Sequence, residues 1–153
     1  MSKSDKNEHN SLQVKNKKAY FDYELIEKVE AGIQLQGTEV KALRSHHGSL
    51  DGSYARIHNN EVFLVGAKIA LYENAGYTSH DPDRDRKLLL HKLQILKLRQ
   101  RLEQKGFTLV PLRLYFNDRG FAKIELAVAR GKKKYDKRDK ITDRQMKKES
   151  KQY

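Results

Sequence analysis

The sequence predicts a mainly β fold: a small antiparallel OB-like barrel with one long and one short helix, followed by a basic C-terminal tail that is disordered until it binds. Three features carry this. Apolar and polar residues alternate with period two over Phe21 to Leu35, Phe107 to Phe116 and Phe121 to Ala129. Turn-forming clusters recur at short spacing. The last stretch is too highly charged to bury a core. Closing the sheet on itself is how so short an antiparallel domain avoids exposed edges.

Each element has its own signal. Residues 1–18 hold few apolar groups and no period, and read as a flexible basic arm. The barrel occupies 19–130. From Phe21 to Leu35 the odd positions are apolar except Glu27, which reads as one long strand that bends or bulges near Gly32. Thr38 as N-cap, with Glu39 in the first turn and Val40 and Leu43 three apart, predicts a short helix over Glu39 to Arg44 that ends by Gly48. Ser53 to Ile57 and Glu61 to Leu71 form a hairpin across His58-Asn59-Asn60. Tyr72 to Asp83 is a loop.

Asp81 followed by Pro82 reads as an N-cap and first helical position, so the long helix is placed over Arg84 to Lys105, about six turns, with Gly106 as its stop. Val110, Leu112, Leu114 and Phe116 share one strand face and meet Ala122, Ile124, Leu126 and Val128 across the Asn117-Asp118-Arg119-Gly120 turn. Residues 131–153 form the tail, with ten Lys/Arg against four acids.

Composition narrows the function. The chain has 153 residues, 32 Lys+Arg against 20 Asp+Glu, and a formal charge of +12. A field of that sign on so small a domain calls for a polyanionic partner, and nucleic acid fits better than a membrane because no basic amphipathic anchor with exposed Trp or Phe is visible. The absence of cysteine excludes thiolate zinc sites, iron–sulfur clusters and disulfides. Met1 to Tyr20 lacks a signal-like apolar run, and no stretch approaches the ~20 apolar residues of a membrane span, so the expectation is a soluble cytoplasmic protein.

An enzyme would have to use His46, His47, His80, Asp81, Asp83 and His91, whose spacing matches no metal or acid–base motif. No catalytic residue, metal, cofactor or small-molecule substrate is expected.

Four blocks, EAGIQLQGTEVKALR (30–44), HDPDRDRKLLLHK (80–92), TLVPLRLYF (108–116) and ARGKKKYDKRD (129–139), resemble in order and spacing the SsrA-binding, or small protein B, family. The resemblance implies an OB-fold barrel that binds the tRNA-like domain of transfer-messenger RNA and accompanies it into stalled bacterial ribosomes, where the tail stands in for codon–anticodon pairing. It further implies a monomer without catalytic activity.

By that similarity Glu30, Leu89 and Lys123 take part in RNA binding. Gly131, Tyr135, Asp136, Lys137 and Arg138 belong to a tail segment that meets small-subunit ribosomal RNA in the decoding region. Tyr135 stands where some family members have histidine; either ring stacks on a base. The residues alone leave other readings open: Lys123 as a solvated strand lysine, Leu89 as a core leucine, Glu30 as a rim salt link, and the whole chain as a ribosomal protein or generic RNA-binding barrel.

Overall fold

The computed structural model describes residues 13–71 and 80–132. In chain order the elements are β1 (Gln13–Lys15), α1 (Lys17–Asp22), β2 (Tyr23–Ile33), α2 (Gly37–Arg44), β3 (Gly48–Ser49), β4 (Tyr54–His58), β5 (Glu61–Val65), β6 (Lys68–Ile69), β7 (Arg86–Leu89), α3 (Lys92–Leu102), β8 (Phe107–Phe116) and β9 (Ala122–Gly131). Strands β8, β4, β5, β7, β2 and β9 pair in that order, and β9 returns to β8, so the antiparallel circuit closes into the expected barrel. β1 adds to the far half of β8, and β3 pairs with β6 apart from the circuit.

The odd-position pattern of β2 conceals a change of face. A bulge between Leu25 and Glu27 inserts one residue against β9, so Tyr23 and Leu25 point out of the barrel while Val29, Ala31 and Ile33 point in. The irregularity therefore lies at Ile26 and not near Gly32. Glu27, the exception to the pattern, sits at the rim and pairs with Arg101 of α3 at 3.5 Å.

β8 shifts register in the same way between Pro111 and Arg113. Val110 and Leu112 consequently face outward, and Leu109, Leu114 and Phe116 fill the barrel, which corrects the expectation that 110, 112, 114 and 116 share a face. The matching face of β9 is as expected, with Ile124, Leu126 and Val128 buried inside.

Outward Tyr23, Leu25, Val110, Leu112, Ala127 and Ala129 make a second small core, which α1 covers with Ala19. Asn16 locks this lid: its Nδ2 donates to Pro111 O at 2.9 Å and its Oδ1 accepts from Ala19 N–H at 3.2 Å. Order thus reaches back into the segment read as a flexible arm, since residues 13–18 form β1, a buried Asn16 and the start of α1. Phe21, read as strand, lies in this helix. The rest of the arm, and the tail beyond Lys132, fall outside the described residues.

The long helix is the largest correction. Arg86 to Leu89 is a strand between β5 and β2, and the helix covers only the 11 residues Lys92–Leu102, with His91 and not Asp81 as its N-cap. Asp81 and Pro82 instead form a turn whose carbonyls accept from Arg86 Nη2 at 3.4 and 3.1 Å. Gly106, the expected stop, has φ 88° in the turn into β8.

The short helix starts two residues earlier than expected, capped by Gln36, and Thr38 Oγ1 lies 2.8 Å from His80 Nδ1. His46 ends it in the left-handed region, φ 62°, with His46 N–H on Leu43 O and His47 N–H on Ala42 O, both at 3.0 Å. The β4–β5 hairpin turns through Asn59-Asn60 alone, both at positive φ, with His58 and Glu61 as the closing pair.

A buried ion pair holds these parts together. Glu39 of α2 and Arg86 of β7 are both 0% exposed and meet at 2.7 Å. Arg86 also donates to Ala67 O at 2.9 Å, and the Glu39 carboxylate accepts from Arg84 and from Gln36 N–H. Burial by itself raises the Glu39 carboxyl; the hydrogen bonds from Arg84, Gln36 and Arg86 and the charge of Arg86 outweigh it and hold the group below its usual value of 4.5.

With the folded value lowered, this stabilisation is complete above pH 4.5 and is lost as the pH falls from there through the lowered value. Glu39→Gln leaves Arg86 buried without a counter-charge and is expected to cost about 3–5 kcal/mol at pH 7. Denaturant unfolding checks this: the loss should shrink as the pH drops below 4.5, and a variant as stable as the parent at pH 7 would contradict it.

Candidate RNA-binding surface

Leu88 and Leu89 illustrate how β7 builds the site. Strand alternation buries Leu88, 2% exposed, and turns Leu89 outward, 52% exposed. A helix through the triple leucine would have spread this run differently, and the core-facing reading of Leu89 fails because the segment is a strand. Leu89 lies over Gly32 of β2; a Cβ at Gly32 would come within 3.2 Å of the Leu89 Cβ, a tight contact that would push the two strands or the leucine apart by a few tenths of an ångström.

On its other side Gly32 pairs with Lys123 of β9, and two residues back Glu30 pairs with Glu125. Glu30, Leu89 and Lys123, far apart in sequence, therefore line one open cleft of about 310 Å³, together with Gly32, Leu90, His91 and Gln94. His91 and Gln94 come from the N-terminus of α3, where Gln94 Oε1 accepts from His91 N–H at 3.1 Å. Among the described residues no ion-pair or hydrogen-bond partner is found for the Lys123 ammonium group.

β8 supplies what sequence reasoning missed. After its register shift, Arg113 and Tyr115 point outward beside Glu125 and Lys123. The Tyr115 hydroxyl donates to Glu30 Oε2, Arg113 stacks 4.3 Å from the Tyr115 ring centroid, and Arg113 Nε lies 3.4 Å from Glu125 Oε2. The signal that could have found this group is the pair of outward positions 113 and 115 opposite 125 and 123, which requires the bulge to be known first.

The surface thus places an acceptor, an exposed aliphatic face and a cation without a side-chain partner among the described residues around one recess. That suits a ligand combining donors, a flat apolar face and negative charge, which describes a nucleotide.

The remaining site residues are spread differently. Gly131 closes β9 opposite Tyr23, and Lys132 N–H bonds to Asp22 O at 3.0 Å, so the tail departs beside α1. Tyr135, Asp136, Lys137 and Arg138 lie outside the described residues. Of the groups weighed for catalysis, His80 is buried between Thr38 and Ile69 O, which at 2.8 Å makes Nε2 the donor. Asp81 Oδ1 accepts from Asp83 N–H at 3.0 Å, and His91 caps α3. Among the described residues no three His, Asp or Glu gather as a metal site, and no helix is long and apolar enough to cross a membrane.

Fold and surface together define a small antiparallel β-barrel protein of strongly basic charge with a polar recess on one face. The chain belongs to the SmpB protein family, whose model matches residues 13–153. It is 49% identical over 138 residues to the SsrA-binding protein of Thermosipho africanus, covering 90% of this chain and 93% of that one. To the SsrA-binding protein of Oleidesulfovibrio alaskensis it is 56% identical over 140 residues, covering 92% and 90%. A solved structure described as "tmRNA-SmpB: a journey to the center of the bacterial ribosome" contains a chain 50% identical, with a TM-score of 0.69 over 81% of this chain and 87% of that one.

The Tyr115–Glu30 contact has a titration signature. Burial, then the hydrogen bond and charge of Glu30, push the phenol up to about 12, while the charge of Arg113 acts the other way. A folded value above the ordinary 10.0 means that the contribution is complete below pH 10.0 and lost as the pH rises through about 12. Glu30→Gln should move the Tyr115 titration down toward 10.0, read by tyrosine ring-carbon NMR. An unchanged titration would mean that the contact does not form in solution.

Proposed function

We propose that this protein binds the tRNA-like domain of transfer-messenger RNA and carries it into stalled ribosomes in the cytoplasm for trans-translation, acting by binding and not by catalysis. The observation that carries the reading is the convergence of Glu30, Leu89 and Lys123 on one cleft, in a chain half identical to one from a tmRNA–SmpB ribosome structure.

In this reading Lys123 contacts phosphate, which positions the RNA without reading its sequence. Leu89 packs against a nucleotide, and Glu30 accepts hydrogen bonds from it. The basic tail, with Gly131 at its root and Tyr135, Asp136, Lys137 and Arg138 beyond, meets small-subunit RNA in the decoding region in place of codon–anticodon pairing. The net charge of +12 supplies long-range attraction to both RNAs.

The test is equilibrium binding to the tRNA-like domain across a salt series, with a tRNA and an unrelated hairpin as competitors. Charge-driven binding falls with salt for every RNA, so a preference that survives high salt supports the reading and equal binding of all three contradicts it. Lys123→Glu should weaken transfer-messenger RNA binding without moving the unfolding transition; unchanged affinity, or affinity lost together with the fold, counts against a direct contact.

Truncation after Lys132, which keeps Arg130 and Gly131 in β9, should leave RNA binding largely intact and abolish tagging on stalled ribosomes. Normal tagging by the truncated protein would sink the role given to the tail.

A further inference from the structure

We propose that the cleft receives an unpaired guanine, with its Watson–Crick edge on the Glu30 carboxylate, its face against Leu89 and a neighbouring phosphate on Lys123. This rests on the RNA-binding reading above and specifies what that surface selects.

The cleft carries an anomaly of charge. Glu30 is an exposed carboxylate at the centre of a surface read as binding a polyanion, and it stands directly across the strands from a second acid, Glu125. Like charges in register destabilise a sheet, so this pairing works against the fold. Arg113 relieves only Glu125, at 3.4 Å, and among the described residues Glu30 has no cation in ion-pair contact. The carboxylate is held instead by a neutral donor, the Tyr115 hydroxyl, which orients it and leaves its charge and most of its acceptor sites free.

An ionised carboxylate only accepts hydrogen bonds, so it repels phosphate and rewards a group that donates. Among the bases, adenine and cytosine each present one amino group and uracil one imino N–H. Guanine alone offers N1–H and the N2 amino group side by side, matched to the two carboxylate oxygens. In a paired helix those donors are engaged, so the base must come from a loop or bulge, where proteins read Watson–Crick edges.

The rest of the cleft agrees with one nucleotide. Its volume of about 310 Å³ lies at the small end of ligand pockets and admits no duplex. Leu89, brought over Gly32, supplies an aliphatic wall that is 52% exposed. Lys123, on the strand position adjacent to Gly32, is the available cation. Glu30 and Leu89 then read the base, Lys123 fixes the backbone, and Tyr115 is a positioning residue that acts through Glu30.

Inosine lacks only the N2 amino group of guanosine. Transcripts of the tRNA-like domain carrying inosine at random guanosine positions are selected for binding to the full-length protein, and the bound and free pools are mapped. The expected result is one unpaired position where inosine is depleted about fivefold to tenfold from the bound pool, which is part of what a bidentate base contact contributes. That depletion disappears with Glu30→Ala and diminishes with Tyr115→Phe, while the salt dependence of binding stays that of the parent. Thermal unfolding of Glu30→Ala at or above the parent transition shows that the fold is intact.

If no unpaired guanosine shows Glu30-dependent depletion while Lys123→Glu still weakens binding, the guanine assignment is wrong and the RNA surface stands. If neither Glu30→Ala nor Lys123→Glu alters affinity, the surface itself is misassigned and the guanine proposal falls with it.

Discussion

The buried pair of Glu39 and Arg86 is the constraint on which the rest of the molecule depends. Two charged side chains with no exposure are tolerated only because every strong partner is present: Arg84 and the Gln36 amide on the carboxylate, and the carbonyls of Ala67, Asp81 and Pro82 on the guanidinium. The pair therefore fixes where α2, the segment before β6 and the start of β7 sit relative to one another. From there β7 runs between β5 and β2, which sets Leu89 over Gly32. The cleft around Leu89 inherits its geometry from an interaction on the inside of the fold.

Two bulges do comparable work in the long strands. Because side chains alternate with period two, inserting one residue exchanges the faces of everything beyond it. In β2 this gives the first half of the strand to the small outer core under α1 and the second half to the barrel interior; in β8 it keeps Leu109 before the bulge and Leu114 and Phe116 after it inside the barrel, while Val110 and Leu112 join the outer core. The outer side of β2, β8 and β9 is consequently apolar at the end covered by α1 and polar at the end carrying Glu30, Arg113, Tyr115, Lys123 and Glu125. One face of the barrel is thus divided between a structural lid and the candidate recognition surface.

What the sequence revealed follows from the range of the interactions involved. Local signals read true: the hairpin connections at His58-Asn59-Asn60, of which only the asparagines form the turn, and at Asn117 to Gly120, the alternation of β9, the start of α2 to within two residues, and the closure of an antiparallel barrel. The segment from Arg84 to Leu89 misled because its inward strand position is an arginine, which hides the period, and because Asp81-Pro82 imitates a helix cap. Only a partner 47 residues away, Glu39, explains that arginine. The position of the bulge in β2 and the existence of the one in β8 were hidden for a related reason. An unbroken apolar period in β8 looks the same whether its residues face one core or two.

Glu30, Leu89 and Lys123 are marked by resemblance to a family, and the cleft that unites them follows from strand register. Tyr115 and Arg113 belong to the same surface and were missed, since their place in it depends on the bulge and on pairing with β9. NMR shift mapping of the full chain on titration with the tRNA-like domain addresses the central claim most directly. The account predicts that backbone amides of Glu30, Gly32, Leu89 and Lys123 move on binding while those of the β4–β5 hairpin stay in place. Shifts centred on the hairpin, with the cleft unaffected, would contradict it.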